Sequence, residues 1–133
     1  MTDDELTYAV TGRGFRVYNE YGYGFLESGY VGALCSACRQ IGLAVEREVS
    51  MPLYFDGEVV ANYRADILVN GRLLIEVKTG DQLSPQAIKQ TWNYLRCTDI
   101  ELALLLNFGP KKLDVRRYNL PNTMKRARRI RSE

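Results

Sequence analysis

From Ala44 to Lys78 three extended runs follow one another, separated by the dipeptides Asp56-Gly57 and Asn70-Gly71. Both dipeptides are strong hairpin formers, because their residues tolerate the positive φ that tight turns require. The runs read AVEREVSMPLYF, EVVANYRADILV and RLLIEVK, rich in β-branched and aromatic residues. Three strands in series expose apolar faces that neighbouring elements must cover, so they constrain the rest of the chain.

The flanking segments supply those elements. SPQAIKQTWNYLRC reads as a helix, with Ser84 as N-cap and Pro85 at its first position. ELALLLNF reads as a buried strand, GPKK as a turn and LDVRRYNL as a last strand at a sheet edge. Upstream, Thr2 and Glu5 have capping-box spacing, and Val10, Phe15, Val17, Tyr18 and Tyr21 follow at helical spacing, weakened by Gly12 and Gly14. After a break at Gly22-Tyr23-Gly24, FLESGYVGALCSACRQIG predicts a second helix. It places Leu26, Tyr30, Ala33, Leu34, Ala37 and Ile41 on one side, with Gly42 as stop. The expected order is α-α-β-β-β-α-β-β in one α/β domain. A chain of 133 residues suits a single core, read as residues 1–120 followed by a basic tail at 121–133.

The third strand raises a question of chemistry. Residues two apart on a strand share a face, so Leu73, Ile75 and Val77 face one way and Arg72, Leu74, Glu76 and Lys78 the other. On the strand before it, Ala65, Ile67 and Val69 oppose Arg64, Asp66 and Leu68. A two-residue turn at Asn70-Gly71 mixes these faces. An odd-length loop at 69–71 pairs Leu68 with Arg72 and Asp66 with Leu74, leaving one face apolar and gathering Arg64, Asp66, Glu76 and Lys78 on the other. Charges in a strand core are costly unless paired or used. Asp66, Glu76 and the Val77 carbonyl offer oxygen ligands to a hard cation, Mg²⁺ or Mn²⁺, and Lys78 could orient water or offset phosphate charge. On these residues alone, a half-buried Glu76–Lys78 ion pair is the simpler reading.

Composition narrows the alternatives. The chain contains no histidine, which excludes imidazole bases, imidazole metal ligands and Ser–His or Cys–His arrangements. Nine of its 18 Lys and Arg lie after position 110, among them Lys111, Lys112, Arg116 and Arg117, and only Asp114 and Glu133 oppose them there. Such a segment suits a polyanion, or serves as a solubilising tail. Three cysteines, Cys35, Cys38 and Cys97, read as small buried apolar residues with free thiols. With no secretory signal and no apolar run long enough to span a bilayer, a cytoplasmic protein is expected.

Further motifs carry a family resemblance. Gly24, Glu27 and Tyr30 spell G-x-x-E-x-x-Y, and Gln90 and Tyr94 spell Q-x-x-x-Y on the helix after LIEVK. With YRADILV and LLLNFG, from about Tyr8 to Tyr118, the chain resembles the GxxExxY family of the PD-(D/E)XK nuclease superfamily. It departs at Ala65, where the superfamily motif has proline, and at Tyr18 and Val31-Gly32, where the family often has His and Glu-Glu. The resemblance implies a restriction-endonuclease-like αβββαβ core with a mixed central sheet flanked by helices. It makes Asp66, Glu76 and Lys78 the metal-binding and catalytic set, brings Glu27 to the metal, and turns Gln90 and Tyr94 towards the site.

The expectation is therefore a divalent-metal-dependent nuclease, acting on DNA more readily than RNA with low sequence specificity, with Arg64, Lys111, Lys112, Arg116 and Arg117 holding phosphates. The competing expectations are a binding module of the same fold that does not cut, and a subunit that requires a partner. The small surface leaves room for a homodimer or a larger complex. Phe15, Tyr21, Tyr23 and Trp92 could stack on bases, but core packing is the expected use of most of them.

Overall fold

The structure, a computed structural model, describes residues 1–126. Helix α1 (Asp3–Tyr21) begins with the expected capping box. Thr2 N–H donates to Glu5 Oε1 at 2.7 Å and Glu5 N–H to Thr2 Oγ1 at 3.1 Å. Gly14 does not interrupt this helix. It lies against the sheet, where a Cβ would sit 3.3 Å from Leu113 Cδ2, so the missing side chain lets α1 approach closely. Helix α2 spans Glu27–Gln40. Strands β1 (Val45–Phe55), β2 (Glu58–Val69) and β3 (Leu73–Thr79) follow, then α3 (Pro85–Cys97), β4 (Leu102–Phe108) and β5 (Leu113–Asn119). Ser84 caps α3 as expected, its Oγ accepting the Ala87 N–H at 3.1 Å.

The five strands form one sheet in the order β1-β2-β3-β4-β5, with β3 and β4 parallel and the other pairs antiparallel. Parallel neighbours need a crossover, and α3 provides it. Helices α1 and α2 cover one face. There Leu6, Val10, Tyr30 and Leu34 pack on Ile67, Ile75, Val77, Leu104 and Leu106. Helix α3 covers part of the other face, where Tyr94 and Leu95 meet Met51, Ala65, Leu74 and Ala103. Strand β5 is an edge, as expected.

Several expectations need correction. The loop between β2 and β3 is odd in length but lies one residue later, since Val69 pairs with Leu73 and Leu68 with Leu74. Asn70 and Gly71 both take positive φ, and Arg72 becomes the third loop residue. Tertiary contacts draw it out, its guanidinium meeting Asp3 at 2.5 Å and the Met1 carbonyl at 2.6 Å. A shift of two in register preserves parity, so Asp66 and Glu76 still share a face.

Ala65, however, does not face the same side as Ile67 and Val69. It belongs to the α3 cluster, together with Val49, Met51 and Tyr63. The β1–β2 ladder skips Glu48 and Asp66, Glu48 takes φ 53°, and the outer half of the hairpin thereby turns to the other face. On α2, Leu26 is 80% exposed and Ile41 is exposed, because both lie at or beyond the ends of the helix. Phe15, Tyr21 and Tyr23 are also exposed, whereas Trp92 packs edge-on against Tyr118 with ring centroids 5.0 Å apart.

Residues 121–125 run back against the α3–β4 connection. Lys125 is buried there, its Nζ donating to the carbonyls of Thr98 at 2.9 Å and Ile100 at 2.5 Å. Arg128, Arg129 and Arg131 of the segment read as a tail lie outside the described residues.

Candidate active site

The site forms where β2 and β3 part. Their ladder runs for three rungs, from Val69–Leu73 to Ile67–Ile75. Beyond it Asp66 leaves the ladder, and its Oδ2 accepts the Val77 N–H at 2.8 Å. Glu76 is 3% exposed, its Oε2 lying 3.0 Å from Lys78 Nζ. Among the described residues its other oxygen, Oε1, is buried without a hydrogen-bond partner. Asp66 and the Tyr94 hydroxyl are its near neighbours, but neither closes a hydrogen bond to that oxygen, and an unpaired buried acceptor costs roughly 1–3 kcal/mol.

The electrostatics agree. Burial, then the neighbouring Asp66, push the Glu76 carboxyl up to about 7 against the pull of Lys78. Asp66 is also raised by burial, opposed by the Val77 N–H and by Lys78. On Lys78 burial acts downward, but the hydrogen bond and charge of Glu76 prevail and raise it. Glu27, the first residue of α2, is raised by burial and by Asp66 while Lys78 opposes, so its carboxylate belongs to the same electrostatic group.

The G-x-x-E-x-x-Y residues have distinct tasks here. Gly24 takes φ 121° in the turn before α2. Tyr30 clamps that turn, donating to the Gly22 carbonyl at 2.6 Å and accepting the Phe25 N–H at 3.4 Å, which fixes the start of the helix and with it Glu27. Tyr94 is buried beneath the site, where its hydroxyl donates to the Arg64 carbonyl at 2.8 Å. Burial and the Glu76 charge push its pKa upward, so it stays a neutral phenol. Gln90, one turn earlier on α3, lines a cleft together with Lys78.

The cationic residues are dispersed. Arg64 is exposed and reaches Glu48 at 4.0 Å. Lys111 and Lys112 are exposed at the β4–β5 turn. Arg116 holds Asp114 with two bonds of 3.0 and 3.1 Å. Arg117 points to the α1 side, where it binds Asp4 at 2.7 Å, and so is not gathered with the carboxylates.

Two neighbours escaped the sequence reading. Register places Glu48 opposite Asp66, and its charge raises the Asp66 pKa. Strand alternation hides this, because the positive φ of Glu48 is not visible in sequence. Asn107 lies beside Lys78 in the parallel register and donates to the Gly80 carbonyl at 2.9 Å. A signal for it existed: like Glu76, it is a polar residue within an apolar buried run, LALLLNF.

The residues present suit a hard divalent cation. Two carboxylates at the parting of the strands, one with an unpartnered buried oxygen, provide oxygen donors, and Val77 contributes its main chain between them. Among the described residues no three acidic or thiol side chains form a ready-made cage. The Lys78 ammonium engages Oε2 of Glu76, which leaves Oε1 as the donor available to such a cation. The three cysteines are buried and free, Cys35 and Cys38 in α2 and Cys97 in α3, and burial raises each thiol, so none offers a reactive thiolate. Among the described residues no helix is long and apolar enough to cross a membrane.

Comparison with known proteins places this geometry. No curated protein matches the chain. Among solved structures, it resembles the crystal structure of SSO0001 at a TM-score of 0.55 and 19% identity, covering 80% of this chain and 56% of that one. It also resembles an alkaline exonuclease, LHK-Exo, from Laribacter hongkongensis, at a TM-score of 0.49 and 15% identity over 68% of this chain and 54% of that one. The chain thus spans about half the length of each of these structures. A family model described as the PD-(D/E)XK nuclease superfamily matches residues 4–118, a span that reaches from α1 into β5 and includes Glu27, Asp66, Glu76, Lys78, Gln90 and Tyr94, and the chain belongs to that superfamily.

Proposed function

We propose that the protein is a divalent-metal-dependent nuclease that hydrolyses phosphodiester bonds, in DNA in preference to RNA and with little sequence specificity. The observation that carries this reading is the buried Glu76 carboxylate, with one oxygen unpartnered, set between Asp66 and Lys78. In this reading Asp66, Glu76 and the Val77 carbonyl hold Mg²⁺ or Mn²⁺, with Glu27 as a further carboxylate nearby. A cation bound there would supply Lewis-acid stabilisation of the charge that develops on the phosphoryl oxygens and would acidify its water. Lys78 exchanges its bond to Glu76 for one to a phosphate oxygen and orients the attacking water. The Val77 N–H fixes the Asp66 carboxylate, and Tyr94 fixes the backbone at Arg64. Arg64, Lys111, Lys112 and Arg116 give affinity for phosphates without reading bases. Arg117 is committed to α1 and has little part in this. The buried free thiols fit a reducing, cytoplasmic setting.

The test is cleavage of linear, circular, single-stranded and branched DNA and of RNA in Mg²⁺ and Mn²⁺, with Glu76→Ala and Lys78→Ala purified identically. Metal-dependent cutting that both variants lose is the expected result. Equal cutting by the variants assigns any activity to a contaminant and leaves Glu76 and Lys78 as a structural ion pair. Binding without cutting identifies a module that holds nucleic acid, and cutting that appears only with an added protein identifies a partner-dependent subunit.

A further inference from the structure

The face switch at Glu48 and Asp66 has a second effect. It carries the outer half of the β1–β2 hairpin over to the α3 side, so that Tyr63 stands across from the open face of α3. Between them lies a cleft of about 830 Å³, and Lys78 lines it. Its α3 wall presents Gln86, Gln90 and Asn93, which at spacings of four and three residues share one helix face, with Lys89 beside them. Its lining combines an aromatic ring, three amides and two lysines with Ser84, Pro85 and Ala87, and contains no carboxylate.

We infer that this cleft seats one nucleotide of a single strand, next to the phosphodiester at Lys78, with Tyr63 stacking on the base and Gln86 and Asn93 bonding to base or sugar. The inference rests on the nuclease reading and adds the form of the substrate to it. Duplex binding draws its affinity chiefly from cations that neutralise phosphates. This cleft offers few cations and instead pairs a ring with uncharged donors and acceptors. A groove that follows one backbone and provides an aromatic platform is the general solution for single strands, where every base has a face to stack. The first turn of α3 contains no acidic residue, so no carboxylate there repels a phosphate lying along the cleft. The protein should therefore prefer single strands or frayed ends to an intact blunt duplex.

The test compares Glu76→Gln with Glu76→Gln/Tyr63→Ala in Mg²⁺, so that binding is read without turnover. Fluorescence anisotropy would follow labelled oligothymidylate, a blunt duplex of equal length and an abasic strand. Expected are tighter binding of oligothymidylate than of duplex, a loss of at least about fivefold on Tyr63→Ala, and no such loss on the abasic strand. Tyr63→Phe, which keeps the ring, should retain binding, and melting curves would show that each variant folds. Gln86→Ala/Asn93→Ala should weaken binding by a smaller factor. Equal affinities with and without the ring, a loss that persists on the abasic strand, or tighter binding of duplex would overturn the inference. If the single strand fails to bind while the wild-type protein still cuts DNA, the seat alone is wrong. If nothing binds and the wild type cuts nothing, the nuclease reading fails with it.

Discussion

The two faces of the sheet are built on opposite terms. Towards α1 and α2, strands β3 and β4 present Ile75, Val77, Leu104, Leu106 and Phe108, all buried in one apolar cluster. Towards α3 the same two strands present Leu74 and Ala103, which are covered, and then Glu76, Lys78 and Asn107, which are not part of any apolar cluster. Ile75 and Glu76 are adjacent in sequence and both are buried, yet one is placed for packing and the other against its own solvation. Stability is concentrated on one face, and the other gives some of it up to hold charge. If so, substitutions at neighbouring positions should separate folding from activity.

The largest expected effect is on chemistry. Glu76→Gln and Lys78→Ala should each lower the metal-dependent cleavage rate by about a hundredfold to a thousandfold, on the scale of removing a preorganised electrostatic group. Both variants should keep the wild-type circular dichroism spectrum. A surviving rate would erase the contrast between the faces. Next is Ile75→Ala, one residue away. It should cost about 2–5 kcal/mol in denaturant unfolding, as large-to-small changes in well-packed cores do. At temperatures where the variant is folded, its cleavage rate per folded molecule should stay near that of the wild type.

A third expectation concerns pH. The Glu76 carboxyl is raised in the folded protein to about 7, so between the ordinary carboxyl range and 7 the folded state binds the extra proton. Its contribution therefore favours folding at low pH and is lost as pH rises towards 7, by about 3 kcal/mol in total. Glu76→Gln should stabilise the metal-free protein by roughly 1–3 kcal/mol at pH 8 and by little at pH 4, which urea unfolding at the two values would show. The smallest effect compares two glycines of α1. A Cβ at Gly12 meets nothing, so Gly12→Ala should add up to about 1 kcal/mol through helix propensity. At Gly14 the same change crowds Leu113 and should add nothing, as a paired thermal melt would reveal.

Much of this arrangement could be read from the chain, because local signals and global packing agree. Thr2 with Glu5, Ser84 with Pro85, and the two turn dipeptides mark element ends by chemistry that depends on near neighbours. The placing of Asp66 and Glu76 on one face followed from parity alone and survived an error of two in register. What was lost depends on distant partners. The exact loop is set by Arg72 reaching Asp3 and Met1 at the other end of the chain. The face of Ala65 is set by the left-handed turn of backbone at Glu48, which breaks the period-two rule where the site forms. The exposure of Leu26, Phe15, Tyr21 and Tyr23 ran against their apolar character, and helical spacing alone did not reveal that they stay at the margin of the core.

The proposal that Glu76 is kept for a cation, at a cost to folding, is most directly tested by thermal melting of wild type and Glu76→Gln at pH 8 across a Mn²⁺ titration. The wild type should begin as the less stable of the two and rise with Mn²⁺, since a ligand that binds only the folded state stabilises it. Glu76→Gln should begin higher and respond little. A wild type that is the more stable without metal, or a Mn²⁺ response that Glu76→Gln shares, would show that the carboxylate is there for its ion pair with Lys78 and not for a metal.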